Sequence, residues 1–483
     1  MQEDAFDEVA DGSIDPAKGT GASRMKTFFD WSAYEDAGMG DAYADIPRHG
    51  GDFAKAVAVC IDSRQCERRG KGVMCPSYRV TGNPNLSTGG RVRLLTAALN
   101  ADLITQPLAD SDLAEAMDLC VACKGCKREC ENNVDMALIK AEYLAQRHAG
   151  RRPGLRARLF AHLPRWQHRH PWLAALARRR NRWPWLARLA ERWLGIAARV
   201  PLPENAEAPW REPVGEPGPA ADPQRPEVVL LVDCFARHYE PEIAEAALEV
   251  LDACGYRVHF LAPDTADPEP GRPLCCGRTY LAQGMVAEAR VEVSRLGSAL
   301  APHLKARRVL VGLEPSCLLG LRDDIQALGL GPVAREIADH ALLLEEFLAR
   351  EVAARRLSLP IDEPAEALVK ADLLVHGHCH QKAVGAMKSM RRLMKLLPGR
   401  GFSFVEAGCC GMAGTFGLEA EHAALSVAMA EDGLLPALRA APRAELVANG
   451  FSCRQQIRAH TGRRVRHLAP VLRDALVGLG NGR

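Results

Sequence analysis

Four short runs of β-branched and aliphatic residues occur in the second half of the chain, and a cysteine follows each of them. The runs and their cysteines are Val228–Val232 before Cys234, Val309–Leu313 before Cys317, Leu373–His376 before Cys379 and Leu446–Ala448 before Cys453. Runs of this length and composition predict buried β-strands. Helical patterns such as Pro241–Ala253 and Leu418–Asp432 lie between them. Because strands that alternate with helices form parallel sheets, we expect an α/β fold here.

A dense cysteine array lies upstream of these strands, at Cys120, Cys123, Cys126 and Cys130. Its spacing, C-x2-C-x2-C-x3-C, is that of bacterial ferredoxins, in which three thiolates hold one cubane cluster and the fourth reaches a second cluster. Residues 51–146 are therefore predicted to form an α-helical ferredoxin-type domain with two [4Fe–4S] clusters. The alternatives are a zinc knuckle, since C-x2-C pairs also bind tetrahedral zinc, and buried structural cysteines.

The partner array is incomplete. It consists of Cys60, Cys66 and Cys75, and Ser63 occupies the position where the ferredoxin template has its middle cysteine. The crossed-ligand rule assigns the thiols to two clusters: the first receives Cys60, Cys66 and Cys130, and the second receives Cys75, Cys120, Cys123 and Cys126. Three thiolates in the first cluster predict a three-iron cluster or a labile fourth iron.

The cysteines of the second half occur in the same order twice. Residues 227–350 contain Cys234, the doublet Cys275-Cys276 before Gly277, and Cys317, whereas residues 351–483 contain Cys379, the doublet Cys409-Cys410 before Gly411, and Cys453. Parallel sheets bind ligands at the carboxyl ends of their strands, where these cysteines are expected. Glycine beside each doublet lets the backbone approach a bulky group closely. Cys254 matches no position of this pattern and is predicted to be a core residue.

These motifs resemble the cysteine-rich CCG domain of heterodisulfide reductase and of the iron–sulfur subunits of glycolate oxidase and anaerobic glycerol-3-phosphate dehydrogenase. The residues that carry the resemblance are Cys275-Cys276-Gly277-Arg278-Thr279, Glu314-Pro315-Ser316-Cys317, His378-Cys379-His380-Gln381-Lys382, Cys409-Cys410-Gly411-Met412-Ala413-Gly414-Thr415-Phe416-Gly417 and Phe451-Ser452-Cys453-Arg454. The resemblance implies a duplicated CCG domain in which one or both repeats hold a further cluster.

Composition and charge narrow the class of protein. With 483 residues, of which 47% are hydrophobic and 25% charged, the chain is long enough for two or three globular domains. Its first residues are acidic and show no apolar signal core, so the sixteen cysteines favour a reducing compartment and a cytoplasmic location. No apolar stretch approaches the roughly 18 residues of a transmembrane candidate.

Positive charge is concentrated in residues 147–200. Residues 147–199 hold fourteen arginines against one acidic residue, Glu191, and the segment contains five of the seven tryptophans. The tryptophans are Trp166, Trp172, Trp183, Trp185 and Trp193. Arginine and tryptophan with few acids predict short interfacial helices, interrupted by Pro153, Pro164, Pro171 and Pro184. A membrane surface and docking onto another domain or subunit stay open as partners, and nucleic acid is not expected.

The segments outside these predicted domains indicate a separate flavin domain. Residues 201–226 have the composition of a linker, and residues 1–50 are too short for a core of their own. Within them, Asp15-Pro16-Ala17-Lys18-Gly19 resembles the end of the FAD-linked oxidase domain in fused D-2-hydroxy-acid dehydrogenases. The chain has no dinucleotide fingerprint and no Walker loop, so FAD is expected on a partner flavoprotein subunit.

These expectations combine into one function. The chain is predicted to be the iron–sulfur electron-transfer subunit of a flavin-dependent 2-hydroxy-acid dehydrogenase, carrying electrons toward a quinone at the inner face of the membrane. Glycolate, D-lactate, D-2-hydroxyglutarate and glycerol 3-phosphate are all open as substrates. His376, His378 and His380 beside Cys379 are candidates for proton transfer. The alternatives are a thiol–disulfide oxidoreductase like heterodisulfide reductase, and an iron–sulfur sensor or assembly protein.

Overall fold

The computed structural model describes residues 25–38, 45–68, 70, 72–101, 108–213, 225–361 and 372–476. The segment that resembles the end of an FAD-linked oxidase domain, Asp15–Gly19, lies outside these residues, as does part of the predicted linker.

Six helices form the ferredoxin-type region. They are α1 (Asp52–Ala58), α2 (Pro76–Thr81), α3 (Thr88–Asn100), α4 (Ser111–Asp118), α5 (Gly125–Glu129) and α6 (Met136–His148). Side-chain caps begin three of them, because Ser87, Asp110 and Asp135 accept hydrogen bonds from backbone amides of the first turn. An extended strap at Phe28–Trp31 crosses α6, where the buried carboxylate of Glu142 accepts hydrogen bonds from its backbone.

The basic segment folds into three helices, α7 (Leu155–Arg169), α8 (Trp172–Arg182) and α9 (Pro184–Leu194). Pro171 and Pro184 stand at helix starts, as predicted, because proline fits the first turn. The predicted break at Pro164 is wrong, since this proline lies inside α7. Packing overrides the local preference there: α7 lies on the following unit, and the Thr279 hydroxyl donates to the carbonyl of Ala161 at 2.8 Å.

The first α/β unit contains a four-stranded parallel sheet. Its elements are β1 (Glu227–Leu231), α10 (Cys234–His238), α11 (Pro241–Ala253), β2 (Arg257–Phe260), α12 (Arg278–Leu281), α13 (Val286–Lys305), β3 (Val309–Gly312), α14 (Pro315–Arg322), α15 (Pro332–His340), β4 (Ala341–Leu343) and α16 (Leu344–Ala353). The strand order is β2-β1-β3-β4. Strands β1 and β3 are buried along most of their length, in agreement with their hydrophobic runs.

The second unit repeats this topology. Its elements are β5 (Leu373–Val375), α17 (Cys379–Val384), α18 (Met387–Met394), β6 (Phe402–Phe404), α19 (Ala423–Glu431), α20 (Leu434–Ala440), β7 (Glu445–Val447), α21 (Phe451–Thr461), β8 (Val465–Arg466) and α22 (Leu468–Arg473). The order β6-β5-β7-β8 is the same as in the first sheet, and every pairing is parallel. Two parallel sheets are therefore confirmed.

Three predicted boundaries differ from the structure. The boundaries after residues 146 and 350 fall inside α6 and α16, whose buried apolar faces continue past them. The helix predicted from Leu418 begins at Ala423, because the preceding backbone pairs with another segment. Ala197 N donates to Leu418 O at 2.8 Å and Ala420 N to Gly195 O at 2.9 Å.

The two α/β units share a buried interface. The Arg454 guanidinium of α21 forms an ion pair with Glu240 next to α11, and both side chains are almost fully buried. The rings of Phe235 and Phe451 stack at 4.5 Å. The apolar core beneath also combines residues of both units, such as Val250 and Leu472. Among the described residues, no helix is both long and apolar enough to cross a membrane.

Candidate iron–sulfur sites

The first ferredoxin-type site groups three thiols. The Cys60 thiol interacts electrostatically with Cys66 and Cys130, and burial raises the pKa of Cys60. Ser63 is exposed, between Asp62 and Arg64, whose φ angles are 51° and 54°. The grouping of these three cysteines is the one that the crossed-ligand rule predicts, and their role as ligands stays a prediction.

The second site groups Cys75, Cys120, Cys123 and Cys126, which are all buried. Left-handed backbone at Ala122 and Lys124, with φ of 46° and 58°, bends the loop on both sides of Cys123. The four cysteines contribute to the lining of a cavity of about 310 Å³. Burial raises the pKa of Cys75 to about 11 although the nearby Arg91 opposes this. Buried thiols ionise when they bind a metal, so this donor set fits an iron–sulfur cluster.

The N-terminus of α3 faces both sites. The backbone amide of Thr88 donates to Cys75 Sγ at 3.1 Å, and the next amide, that of Gly89, donates to Cys66 Sγ at 3.2 Å. Amides at a helix N-terminus stabilise negative charge, and hydrogen bonds to cluster sulfur are one determinant of cluster potential. One helix end therefore supports thiols of both sites.

The first α/β tetrad forms at the carboxyl ends of β1 and β3, the neighbouring strands at the switch point of the sheet. Its members are Cys234, Cys275, Cys276 and Cys317. Their thiols are linked by hydrogen bonds in that order, and the bonds from Cys234 and Cys276 lower the pKa of Cys275. Gly277 has φ of 74°, and a Cβ there would lie 3.1 Å from the carbonyl of Ala289, so glycine allows the doublet to approach α13.

The second α/β tetrad, Cys379, Cys409, Cys410 and Cys453, has the same arrangement and is buried. A hydrogen bond from Cys379 lowers the pKa of Cys409, but the bond to Cys410 and burial together raise it to about 12. The amide of Gly411 donates to Cys409 Sγ at 3.4 Å. Gly411 has φ of 88°, and a Cβ there would lie 2.1 Å from the carbonyl oxygen of Ser426.

The three histidines near Cys379 are buried and neutral. Burial lowers the pKa of all three, for His380 to about 3, so the expectation that they titrate near working pH is wrong. His378 Nδ1 accepts a hydrogen bond from the amide of His380, and His380 Nε2 donates to the carbonyl of Ala122 at 3.1 Å. His376 has no hydrogen-bond partner for either ring nitrogen among the described residues.

Lys382 lies beside the second tetrad, and only its membership of a motif hinted at this. Its ammonium group donates to the carbonyls of Ala407 and Gly408, at 2.5 and 3.1 Å. Burial lowers the pKa of Lys382, while the four thiols of the tetrad favour its charged form. The lysine thus holds the backbone in front of the doublet and places positive charge beside its sulfurs.

The ferredoxin-type region contacts the second tetrad directly. Cys123 packs with Cys379, Cys409 and Val73 in one buried group. Next to it, Lys124 forms ion pairs with Asp323 and Asp324 of the first unit. The loop that carries the second ferredoxin-type site is therefore bound to both α/β units, and the sequence contains no local signal for this contact.

One further group has metal-ligand chemistry. Glu419, Glu421 and His422 lie close enough for their side chains to share an ion. However, Arg156 binds both carboxylates, with distances of 3.3 Å to Glu419 and 2.9 Å to Glu421. The guanidinium supplies the positive charge there, so we do not assign a metal site.

Comparison with known proteins identifies the ferredoxin-type region. Residues 56–134 match the 4Fe-4S dicluster domain family. This domain contains both cysteine arrays, and the match confirms the prediction of a ferredoxin-type region.

Three relatives match beyond this domain. D-2-hydroxyglutarate dehydrogenase of Pantoea ananatis strain AJ13355 is 24% identical over 448 residues, which cover 82% of this chain and 41% of the relative. A subunit of the anaerobic glycerol-3-phosphate dehydrogenase of Escherichia coli K12 is 23% identical, with 52% and 59% covered. Lactate utilization protein A 1 of Bacillus mycoides strain KBAB4 is 21% identical, with 51% and 96% covered.

The matches confirm the resemblance to iron–sulfur components of oxidoreductases. The chain spans about two fifths of the length of the Pantoea relative.

Proposed function

We propose that this chain is the iron–sulfur electron-transfer component of a flavin-dependent dehydrogenase, with FAD on a partner flavoprotein. The proposed substrate class is a 2-hydroxy acid of the glycolate, D-lactate or D-2-hydroxyglutarate type. A membrane quinone is the proposed final acceptor, and the cytoplasmic face of the membrane is the proposed location. The relatives named for D-2-hydroxyglutarate and glycerol 3-phosphate dehydrogenases support the reaction class.

The contact of Cys123 with Cys379 and Cys409 carries this proposal. Cys75, Cys120, Cys123 and Cys126 would hold one cluster, and Cys379, Cys409, Cys410 and Cys453 would hold another. Clusters at these thiols would supply one-electron transfer. Because Cys123 packs against two thiols of the other tetrad, the chain places these two sites next to each other.

The surrounding residues suit two adjacent redox sites. All eight of these cysteines are buried, so the protein excludes water from both sulfur groups. The amides of Thr88 and Gly411 donate to sulfur, and Lys382 adds positive charge near the second tetrad. Hydrogen bonds, charge and burial are the means by which proteins set cluster potentials.

An anaerobic pull-down of the tagged chain from its own cells tests the proposal. We expect a stoichiometric flavoprotein in the eluate, and flavin and iron–sulfur absorbance bands that bleach when the correct 2-hydroxy acid is added. Iron-free protein that contains zinc would refute the proposal. Clusters without flavin, together with reoxidation that depends on a disulfide, would instead support the chemistry of heterodisulfide reductase.

A further inference from the structure

The outward face of α8 and α9 exposes an unusual amount of apolar surface. Of the twelve large apolar side chains that are exposed among the described residues, six lie on these two helices. They are Trp172, Leu176, Trp183, Trp185, Leu189 and Trp193, which we call the α8–α9 face. Trp193 is 74% exposed, and Trp172 and Trp185 are each 61% exposed. Large exposed apolar patches usually mark binding surfaces.

The spacing of these side chains makes a continuous ridge. Trp185, Leu189 and Trp193 are four residues apart, so they line one side of α9, while Ala187 on the other side is buried. Trp172 and Leu176 have the same spacing on α8, which packs against α9. The rings of Trp183 and Trp185 stack at 6.1 Å and join the two rows.

Free positive charge accompanies the ridge. Five arginines of α8 and α9 are exposed, and none of them forms an ion pair with any described residue. They are Arg178, Arg179, Arg182, Arg188 and Arg192. The one acidic residue, Glu191, uses its carboxylate to accept the amide of Ala198. The face is thus both apolar and strongly basic.

A sixth arginine, Arg180, has a different role. It is buried, and its guanidinium donates to the carbonyls of Val200, at 2.7 Å, and Ala197. Ala197 in turn donates to the carbonyl of Leu418 in the segment after the second cysteine doublet. The two helices are therefore attached to the second α/β unit close to its tetrad motif.

We propose that the α8–α9 face docks onto an anionic lipid surface. Tryptophan partitions to the headgroup region, and arginine binds lipid phosphate, so ridge and charge suit one ligand. A convex row of aromatic residues with uncompensated positive charge matches a flat anionic surface. The use of this contact, to bring the clusters near a lipid-soluble acceptor, rests on the proposed function; the binding itself requires only the two helices.

Vesicle flotation of the intact protein tests the inference. We expect it to float with vesicles of phosphatidylcholine and phosphatidylglycerol in equal parts, and not with phosphatidylcholine alone. The variant Arg178→Gln/Arg179→Gln/Arg182→Gln should bind the anionic vesicles about 100-fold more weakly, since each basic residue near such a surface contributes roughly a tenfold effect. Trp185→Ser/Trp193→Ser should also release the protein. Brominated lipids should quench wild-type tryptophan fluorescence.

A charge-matched variant controls for net charge. Arg335→Gln/Arg443→Gln/Arg464→Gln removes three exposed arginines from the α/β units and should float like the wild type. Equal loss in both triple variants, or wild-type protein that stays unbound, would overturn the inference. So would unchanged flotation of the face variants combined with loss of the copurifying flavoprotein, because the face would then bind protein. Iron content is measured on the same samples: clusters without flotation would contradict only this inference, and flotation without clusters only the proposed function.

Discussion

Cys123 of the ferredoxin-type loop and Cys379 of the second α/β unit lie in the same buried group, together with Cys409. The contact joins two thiol sites that are far apart in the sequence. The Cys123 thiol has its pKa raised well above the usual value by burial and by the neighbouring sulfurs. Such a sulfur group is stable as thiolates only with bound metal, so the contact links cluster binding to the packing of the domains.

Replacement of Cys123 by serine should remove the cluster of the second ferredoxin-type site. We expect the purified Cys123→Ser protein to lose about four iron atoms per chain, as a [4Fe–4S] cluster contains. Cys254→Ser is the control, because Cys254 is a single half-buried thiol outside every cysteine group described. Equal iron content in the Cys123→Ser and wild-type proteins would show that this ligand assignment is incorrect. Iron and sulfide analysis after anaerobic purification measures the effect.

A cysteine at position 63 should complete the first site. Ser63 occupies the missing ligand position and lies in the loop between Cys60 and Cys66. With Ser63→Cys, we expect a three-iron electron paramagnetic resonance signal to be replaced by that of a four-iron cluster, since the variant supplies the absent thiolate. The spectra of the oxidised and reduced proteins report the change. If they are identical to the wild-type spectra, the three-thiol assignment of this site does not hold.

Gly411 should be essential for the second tetrad, whereas nearby Gly414 should not. Both have positive φ, of 88° and 69°, so alanine strains the backbone at either position. Only at Gly411 would a Cβ also collide with the backbone, at 2.1 Å from Ser426 O, while nothing lies within 4 Å at Gly414. We expect Gly411→Ala to lower the free energy of unfolding by about 2 kcal/mol more than Gly414→Ala. Urea unfolding tests this difference, and equal losses would contradict it.

Local patterns predicted the central strands and missed the edge strands. β1, β3, β5 and β7 are fully or largely buried, so their hydrophobic runs were visible in the sequence. The edge strands β6 and β8 are half-exposed and only two or three residues long, which leaves little pattern to detect. Helix α11 was predicted with its observed bounds because Pro241 marks its first turn.

Long-range contacts could not be predicted in this way. The Arg454–Glu240 ion pair and the packing of Cys123 on Cys379 join distant segments, and no local spacing signals them. The sequence also could not separate buried Arg180 from its exposed neighbours Arg178 and Arg179, because burial depends on the segment after α9.

The strap at Phe28–Trp31 should depend on Glu142. This fully buried carboxylate accepts hydrogen bonds from the amides of Phe28 and Phe29 and from the Trp31 indole, at 2.9 to 3.1 Å. Glu142→Ala would leave these donors buried without acceptors, at a cost of about 3 kcal/mol in unfolding free energy. Hydrogen exchange of the strap should become faster. Glu336→Ala, at an exposed helical position, should change stability by less than about 0.5 kcal/mol; if both variants behave alike, the strap does not need this carboxylate.

His422 should make stability fall as pH rises above neutrality. Burial alone would lower the pKa of His422, but hydrogen bonds to Asp118, at 2.8 Å, and to Glu419 raise it to about 9. The unfolded chain has a histidine pKa of about 6.5. Protonated His422 therefore stabilises the fold fully below pH of about 6.5, and this stabilisation is lost as the pH passes through about 9. Because Asp118 is 60% exposed, solvent screening should limit the loss to on the order of 1–2 kcal/mol. Urea unfolding at pH 6.5 and 9.5 should show this loss in the wild type and in Glu115→Gln, and neither His422→Gln nor Asp118→Asn should show it. A wild-type loss that persists in both of these variants would mean that another group titrates.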